Sequence, residues 1–97
     1  MTTYVILAKY TDAGVKAIKD SPARLDTAKR LLKEMGGEFH SFYLTLGDYD
    51  FIAMYDASDD AIAARFALQL GSLGNVRTTT LKAFSEHSYR DIIASLG

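Results

Sequence analysis

Phe39-His40-Ser41-Phe42-Tyr43-Leu44-Thr45-Leu46-Gly47-Asp48-Tyr49-Asp50-Phe51-Ile52-Ala53-Met54-Tyr55 is the stretch that decides the fold. Two apolar, aromatic-rich runs flank a short segment rich in Gly and Asp, which is the pattern of a β-hairpin. Gly47 can take a positive φ without steric cost. Asp48 and Asp50 can accept hydrogen bonds from turn amides. Tyr49 can bury its ring while keeping its hydroxyl paired.

Upstream of the hairpin, Tyr4 to Tyr10 is β-branched, aromatic and apolar on both faces, as suits a central strand. Thr11 can cap a short helix over Asp12 to Lys19. Ser21-Pro22 then predicts a second start, with Ser as N-cap and Pro at the first helical position. Leu25, Ala28, Leu31, Leu32 and Met35 form one helical stripe, and Gly36-Gly37 ends it. Downstream, Ser58 with Asp59 and Asp60 opens a helix whose stripe is Ile62, Phe66 and Leu70, closed by Gly71 to Asn75. Val76 to Phe84 is a threonine-rich strand. Tyr89, Ile92, Ile93 and Leu96 lie at helical spacing in a tail to be docked on the body or on a partner.

The order β-α-β-β-α-β plus a tail helix is the split βαβ, ferredoxin-like α+β pattern. Residues 1–97 are expected as a single domain, with core 3–85 and C-terminal helix 86–96. Right-handed crossovers put both helices on one face of a four-stranded antiparallel sheet. The strands are apolar on both faces. Tyr4, Ile6, Ala8 and Tyr10 oppose Val5 and Leu7. Phe39 and Tyr43 are expected opposite Phe42, Leu44 and Leu46, while Phe51, Ala53 and Tyr55 oppose Ile52 and Met54. A face so apolar predicts a homodimer through the sheet, with a higher oligomer open. The alternative is a monomer whose tail helix folds over that face.

Composition narrows the function classes. The 97 residues are 48% hydrophobic and 24% charged, with a net charge of −1 and no cysteine. The missing thiols exclude disulfides, iron–sulfur clusters and thiolate zinc sites. The near-neutral balance argues against nucleic acid and anionic membranes. No signal core or spanning run is present, so a soluble cytoplasmic protein is expected. His40 and His87 are the only histidines and have no metal-ligand spacing, so neither a metal nor a cofactor is expected. No Gly-x-Ser-x-Gly and no His–Asp partnership is visible, and no catalytic residue is assigned.

Tyr10-Thr11 with Gly14, Pro22 with Arg24, Gly36-Gly37, Gly47 with Tyr49-Asp50, Gly74 with Val76-Arg77-Thr78, then Thr80, Ala83 and Phe84 follow one another in a specific order. In that order and spacing the chain resembles the GYD domain family of small bacterial and archaeal proteins. The resemblance covers about residues 3 to 85 and leaves out the tail after Ser85. It implies a ferredoxin-like fold paired as a dimeric α/β barrel, and no general activity. The hairpin and topology also resemble the amino-acid-sensing domains of feast/famine regulators, which bind small ligands between subunits. That likeness covers the hairpin and topology only, and no helix-turn-helix segment is expected before the domain.

The ligand-binding candidates are Tyr10, Thr11, Tyr49, Asp50, Arg77 and Thr78. Gly47, Tyr49 and Asp50 are at the same time the structural motif, with Asp50 expected to meet Arg77 or Arg24. The hydroxyls and guanidinium of Arg77-Thr78-Thr79-Thr80 can hold a carboxylate or phosphate, although threonine is also an ordinary strand residue. The function expected is a small-molecule-binding or assembly domain acting as a homo-oligomer. The alternative is a cofactor-independent enzyme, of oxygenase or isomerase type, with its cavity in the dimeric barrel.

Overall fold

A computed structural model of the chain describes residues 1–97. Strand β1 (Thr2–Tyr10) leads into α1 (Asp12–Lys16), a 3-10 turn (Ile18–Asp20) and α2 (Ser21–Glu34). The hairpin is β2 (Glu38–Leu44) and β3 (Phe51–Ala57). Helix α3 (Asp60–Ser72), strand β4 (Val76–Ala83) and α4 (Glu86–Ala94) complete the chain. The sheet order is β2-β3-β1-β4 with every pair antiparallel, which is the ferredoxin-like arrangement expected.

Helix starts differ from expectation in the segment after Thr11 and at Ser21. The segment after Thr11 is α1 plus a separate 3-10 turn rather than one helix. Ser21 is the first residue of α2, and Asp20 stands at the N-cap without a side-chain hydrogen bond. The preceding turn already carries the chain in at helical angles, so no hydroxyl is needed to start the helix. Helix α3 is capped by Asp59, whose carboxylate accepts from the Ile62 amide at 3.0 Å. This start lies within the expected Ser58-Asp59-Asp60 opening, and the charge of Asp59 suits the helix N-terminus.

The register of β2 departs from simple alternation. Phe39 pairs with Tyr55 and Ser41 with Met54, so His40 is an extra residue in a β-bulge. A bulge reverses which face the following side chains occupy. Phe39, Phe42 and Leu44 therefore share the helix-facing side, across from Tyr55, Ala53 and Phe51. Tyr43 is displaced to the open side, opposite Ile52. The sequence expectation had Phe39 and Tyr43 together, because strict alternation cannot register an inserted residue.

The core lies between the helices and the sheet. Tyr4, Ile6 and Ala8 of β1 meet Ala53, Tyr55 and Ala57 of β3, with Leu32, Ile62, Ala63 and Phe66 packed over them. Tyr55 stacks on Tyr4 at 5.4 Å between centroids and takes the edge of Phe66 at 5.2 Å. The opposite face carries Val5, Leu7, Ile52, Met54, Tyr43 and Leu81, and nothing of the chain is laid over it. Tyr43 is 59% and Leu81 46% exposed. Helix α4 does not supply the cover. None of its residues is buried, and its own stripe of Tyr89, Ile92 and Ile93 is exposed. No helix is long and apolar enough to cross a membrane.

Candidate functional site

The hairpin connection spans residues 45–50, with Gly47 at φ +116, in the left-handed region where glycine is favoured. Asp50 closes it. Its amide donates to the Ala8 carbonyl at 2.8 Å, and its carboxylate accepts from the Tyr10 amide at 2.8 Å. The Thr45 amide donates to the Asp50 carbonyl at 2.9 Å, and the Thr45 hydroxyl to the Tyr49 carbonyl at 2.6 Å. The motif thus ties the start of β3 to the end of β1. The expected ion pair of Asp50 with Arg77 or Arg24 does not form. Arg24 donates instead to the Ala17 carbonyl at 2.8 Å and the Gly14 carbonyl at 3.4 Å. Arg77 is exposed and reaches the Gly71 carbonyl at 3.5 Å. Backbone acceptors lie nearer to both guanidinium groups than the Asp50 carboxylate does.

Thr11 forms a second clasp. Its amide donates to the Asn75 carbonyl at 3.0 Å, and its hydroxyl donates to the Gly74 carbonyl at 2.6 Å. The same hydroxyl accepts from the Gly14 amide at 3.2 Å, capping α1 as expected. Gly14 sits against this clasp so closely that a Cβ there would lie 2.1 Å from the Asn75 carbonyl oxygen.

The predicted site residues lie together at one end of the sheet but do not converge on a single set of polar contacts. The Thr11 hydroxyl and one Asp50 carboxylate oxygen bond to the backbone. Tyr10 turns its ring to Phe51 at 5.6 Å, on the helix-facing side. Thr78 is half-buried on that same side, across from Ala8. Tyr49 lies under the Lys9 ammonium at 5.5 Å, and Lys9 is in register with Arg77 on β4. Tyr10, Thr11 and Asp50 are adjacent, while Arg77 stands apart from their hydrogen bonds.

Three features were missed in the sequence. The first is a His40–Asp56 pair at 2.8 Å, with the Thr3 hydroxyl donating to the other carboxylate oxygen at 2.7 Å. The bond from Thr3, and then that from His40, hold the Asp56 carboxyl below the usual carboxylate range. The pair forms because the bulge places His40 beside β3, and sequence spacing carries no sign of it. Thr3 donates to the carboxylate, so the trio is not a nucleophile–base–orienter chain. The second is Tyr55, fully buried with its hydroxyl unpartnered and its pKa pushed up to about 12 by burial. The third is a cavity of about 280 Å³ between α2 and the helix-facing side of the sheet.

The chain belongs to the GYD domain family, whose profile matches residues 4–93. The match runs further than the resemblance read from the sequence and takes in most of α4. A Thermus thermophilus protein named glutamine synthetase and cystathionine β-lyase binding protein is 35% identical over 97 residues, covering 99% of each chain. Among solved structures, a feast or famine regulatory protein of Mycobacterium tuberculosis, complexed with L-methionine, superposes with a TM-score of 0.67 at 16% identity. That alignment covers 88% of this chain and spans about half, 51%, of the regulator. A crystal structure from Thermus thermophilus gives a TM-score of 0.56 at 24% identity, covering 88% of this chain and 95% of that one. These structural likenesses concern the fold.

Proposed function

We propose that this protein is a non-catalytic binding module that pairs with a second copy through its open sheet face and presents α4 to an enzyme partner. The observation that carries this reading is the apolar open face, where the half-buried Val5, Leu7, Ile52 and Met54 run beside the exposed Tyr43 and Leu81 and α4 is not laid over them. A partly exposed apolar face of this kind marks an interface. Two such sheets can pack face to face with their side chains interleaved.

The charges around the stripe suit a two-fold pairing. Lys9 and Arg77 share the register at one end, whereas Glu38 and Asp56 face each other at the other end. Like charges opposite one another are unfavourable within a sheet. A two-fold axis across the strands sets each basic end over the acidic end of the other copy. The resulting dimer is the α/β barrel that the family resemblance implies.

Helix α4 supplies a second surface. Tyr89, Ile92 and Ile93 make an apolar face, and Glu86–Arg90 and His87–Asp91 pairs occupy the rest. Amphipathic helices of this kind dock in grooves of partner proteins. The full-length relative is named for binding glutamine synthetase and cystathionine β-lyase, which makes those two enzymes the first partners to try. The enzyme alternative has one feature in its favour, the His40–Asp56 pair, and lacks a positioned nucleophile beside it.

Sedimentation at micromolar concentration is expected to give a dimer, with Met54→Lys shifting it to monomer. The full-length protein should bind purified glutamine synthetase or cystathionine β-lyase from its own host in calorimetry. The Ile92→Asp, Ile93→Asp variant should dimerise but lose that binding. A monomeric wild type, or partner binding untouched by the α4 substitutions, would overturn the reading.

A further inference from the structure

The cavity beneath α2 is independent of both surfaces assigned above. Helix α2 packs unevenly along its length. Leu32 near its C-terminal end is fully buried, while Leu25 and Ala28 in its N-terminal half are only half-buried. The helix stands off the sheet there, and the space of about 280 Å³ lies over Phe42, Phe51 and Tyr10. Phe42 and Phe51 contact each other at 4.9 Å and Phe51 meets Tyr10 at 5.6 Å, so the floor is a continuous aromatic surface.

An apolar space lined this way holds water poorly, because water needs two or more polar partners. Its lining also forfeits the dispersion contacts that a filled core would make. The lining is hydrophobic apart from the Ser21, Pro22 and Arg24 side, and Arg24 is its only charged residue. No carboxylate pairs with Arg24. Its two hydrogen bonds, to the Ala17 and Gly14 carbonyls, fix the guanidinium in place. A guanidinium has about five N–H donors, so roughly three remain free.

We infer that this cavity binds an amphiphilic carboxylate whose apolar body lies on the Phe42–Phe51–Tyr10 floor and whose carboxylate is held by Arg24. The volume sets the size. A space of about 280 Å³ suits a short apolar body and not a long acyl chain. The cavity is just below the roughly 300–1,000 Å³ typical of drug-sized ligand sites. The fixed guanidinium gives the acid an advantage over the corresponding alcohol, since charge-assisted hydrogen bonds to carboxylates are the stronger kind.

Amide NMR titrations with sodium octanoate and with 1-octanol test this on the full-length protein. Octanoate should saturate and shift the amides of Leu25, Ala28 and Phe51. Octanol should move the same amides with about thirtyfold weaker affinity, the loss expected for one charge-assisted bond. Arg24→Gln should lower octanoate affinity to that of octanol. Arg24 also steadies the α1 segment, so Ala28→Phe is the second variant. It fills the space, leaves the Arg24 bonds in place and should abolish both titrations. The sheet-face variant Met54→Lys should leave both unchanged, which separates this site from the dimer surface. Equal affinity for octanoate and octanol would overturn the inference. So would octanoate binding that survives Ala28→Phe, or shifts confined to Leu7 and Met54.

Discussion

The Asp50 carboxylate accepts the Tyr10 backbone amide at 2.8 Å, while the Asp50 amide donates to the Ala8 carbonyl at 2.8 Å. One residue thereby links the last turn of the hairpin connection to the end of the central strand. Replacing it by alanine leaves the half-buried Tyr10 amide without this partner. Asp50→Ala is expected to cost about 2 kcal/mol, as for a hydrogen bond to a charged group. Urea denaturation measures it, and Asp50→Asn, which keeps an acceptor oxygen, should lose less.

Gly14 is required for a different reason. Its missing side chain admits the Asn75 backbone, and a Cβ would stand 2.1 Å from the carbonyl oxygen. The obstacle is main chain, which cannot swing aside as a long side chain does. Gly14→Ala should therefore destabilise by about 3 kcal/mol, at the upper end of overpacking costs. Gly71→Ala, where a Cβ meets nothing within 4 Å, is the control. It should be neutral or stabilising by a few tenths of a kcal/mol, because Gly71 lies inside α3.

Tyr55 holds a hydroxyl that the fold does not satisfy. An unpaired buried hydroxyl carries its desolvation cost without return. Tyr55→Phe keeps the ring on Tyr4 and Phe66 and should raise stability by about 1 kcal/mol. A clear loss of stability in thermal unfolding would show that the hydroxyl is satisfied in solution.

The acid limb of stability should follow Asp56 and Asp60. Both carboxyls are held below the usual range, Asp56 first by the Thr3 hydroxyl and Asp60 first by the Tyr4 hydroxyl at 2.6 Å. A lowered folded-state pKa means the unfolded chain binds protons first as pH falls. The stabilisation is present above the unfolded carboxylate pKa of about 3.9 and is lost as pH drops through the folded values. Melting temperature should fall below about pH 4 in the wild type. In Asp56→Asn, Asp60→Asn the fall should be shallower and start from a lower value at neutral pH.

Much of the fold was legible in the linear chain. The hairpin, the α2 and α3 stripes and the glycine at the turn were all readable. Each rests on local periodicity or local backbone freedom. Thr11 as the cap of α1 was readable too, because its partner lies three residues away. The tertiary partners of the candidate site residues were not legible in the same way. The Thr11 hydroxyl and one Asp50 carboxylate oxygen bond to the backbone of distant segments. The partners are 40 and 63 positions away, a separation that spacing rules do not address.

The sequence by itself determined the element order and the ferredoxin-like class, because alternation and helical spacing are properties of neighbouring residues. The tertiary structure alone decided the bulge at His40, and with it the His40–Asp56 pair and the transfer of Tyr43 to the open face. It also decided that α4 leaves the sheet uncovered and that α2 stands off it over a cavity. These depend on register and on how closely layers approach, quantities set only when strands and helices meet.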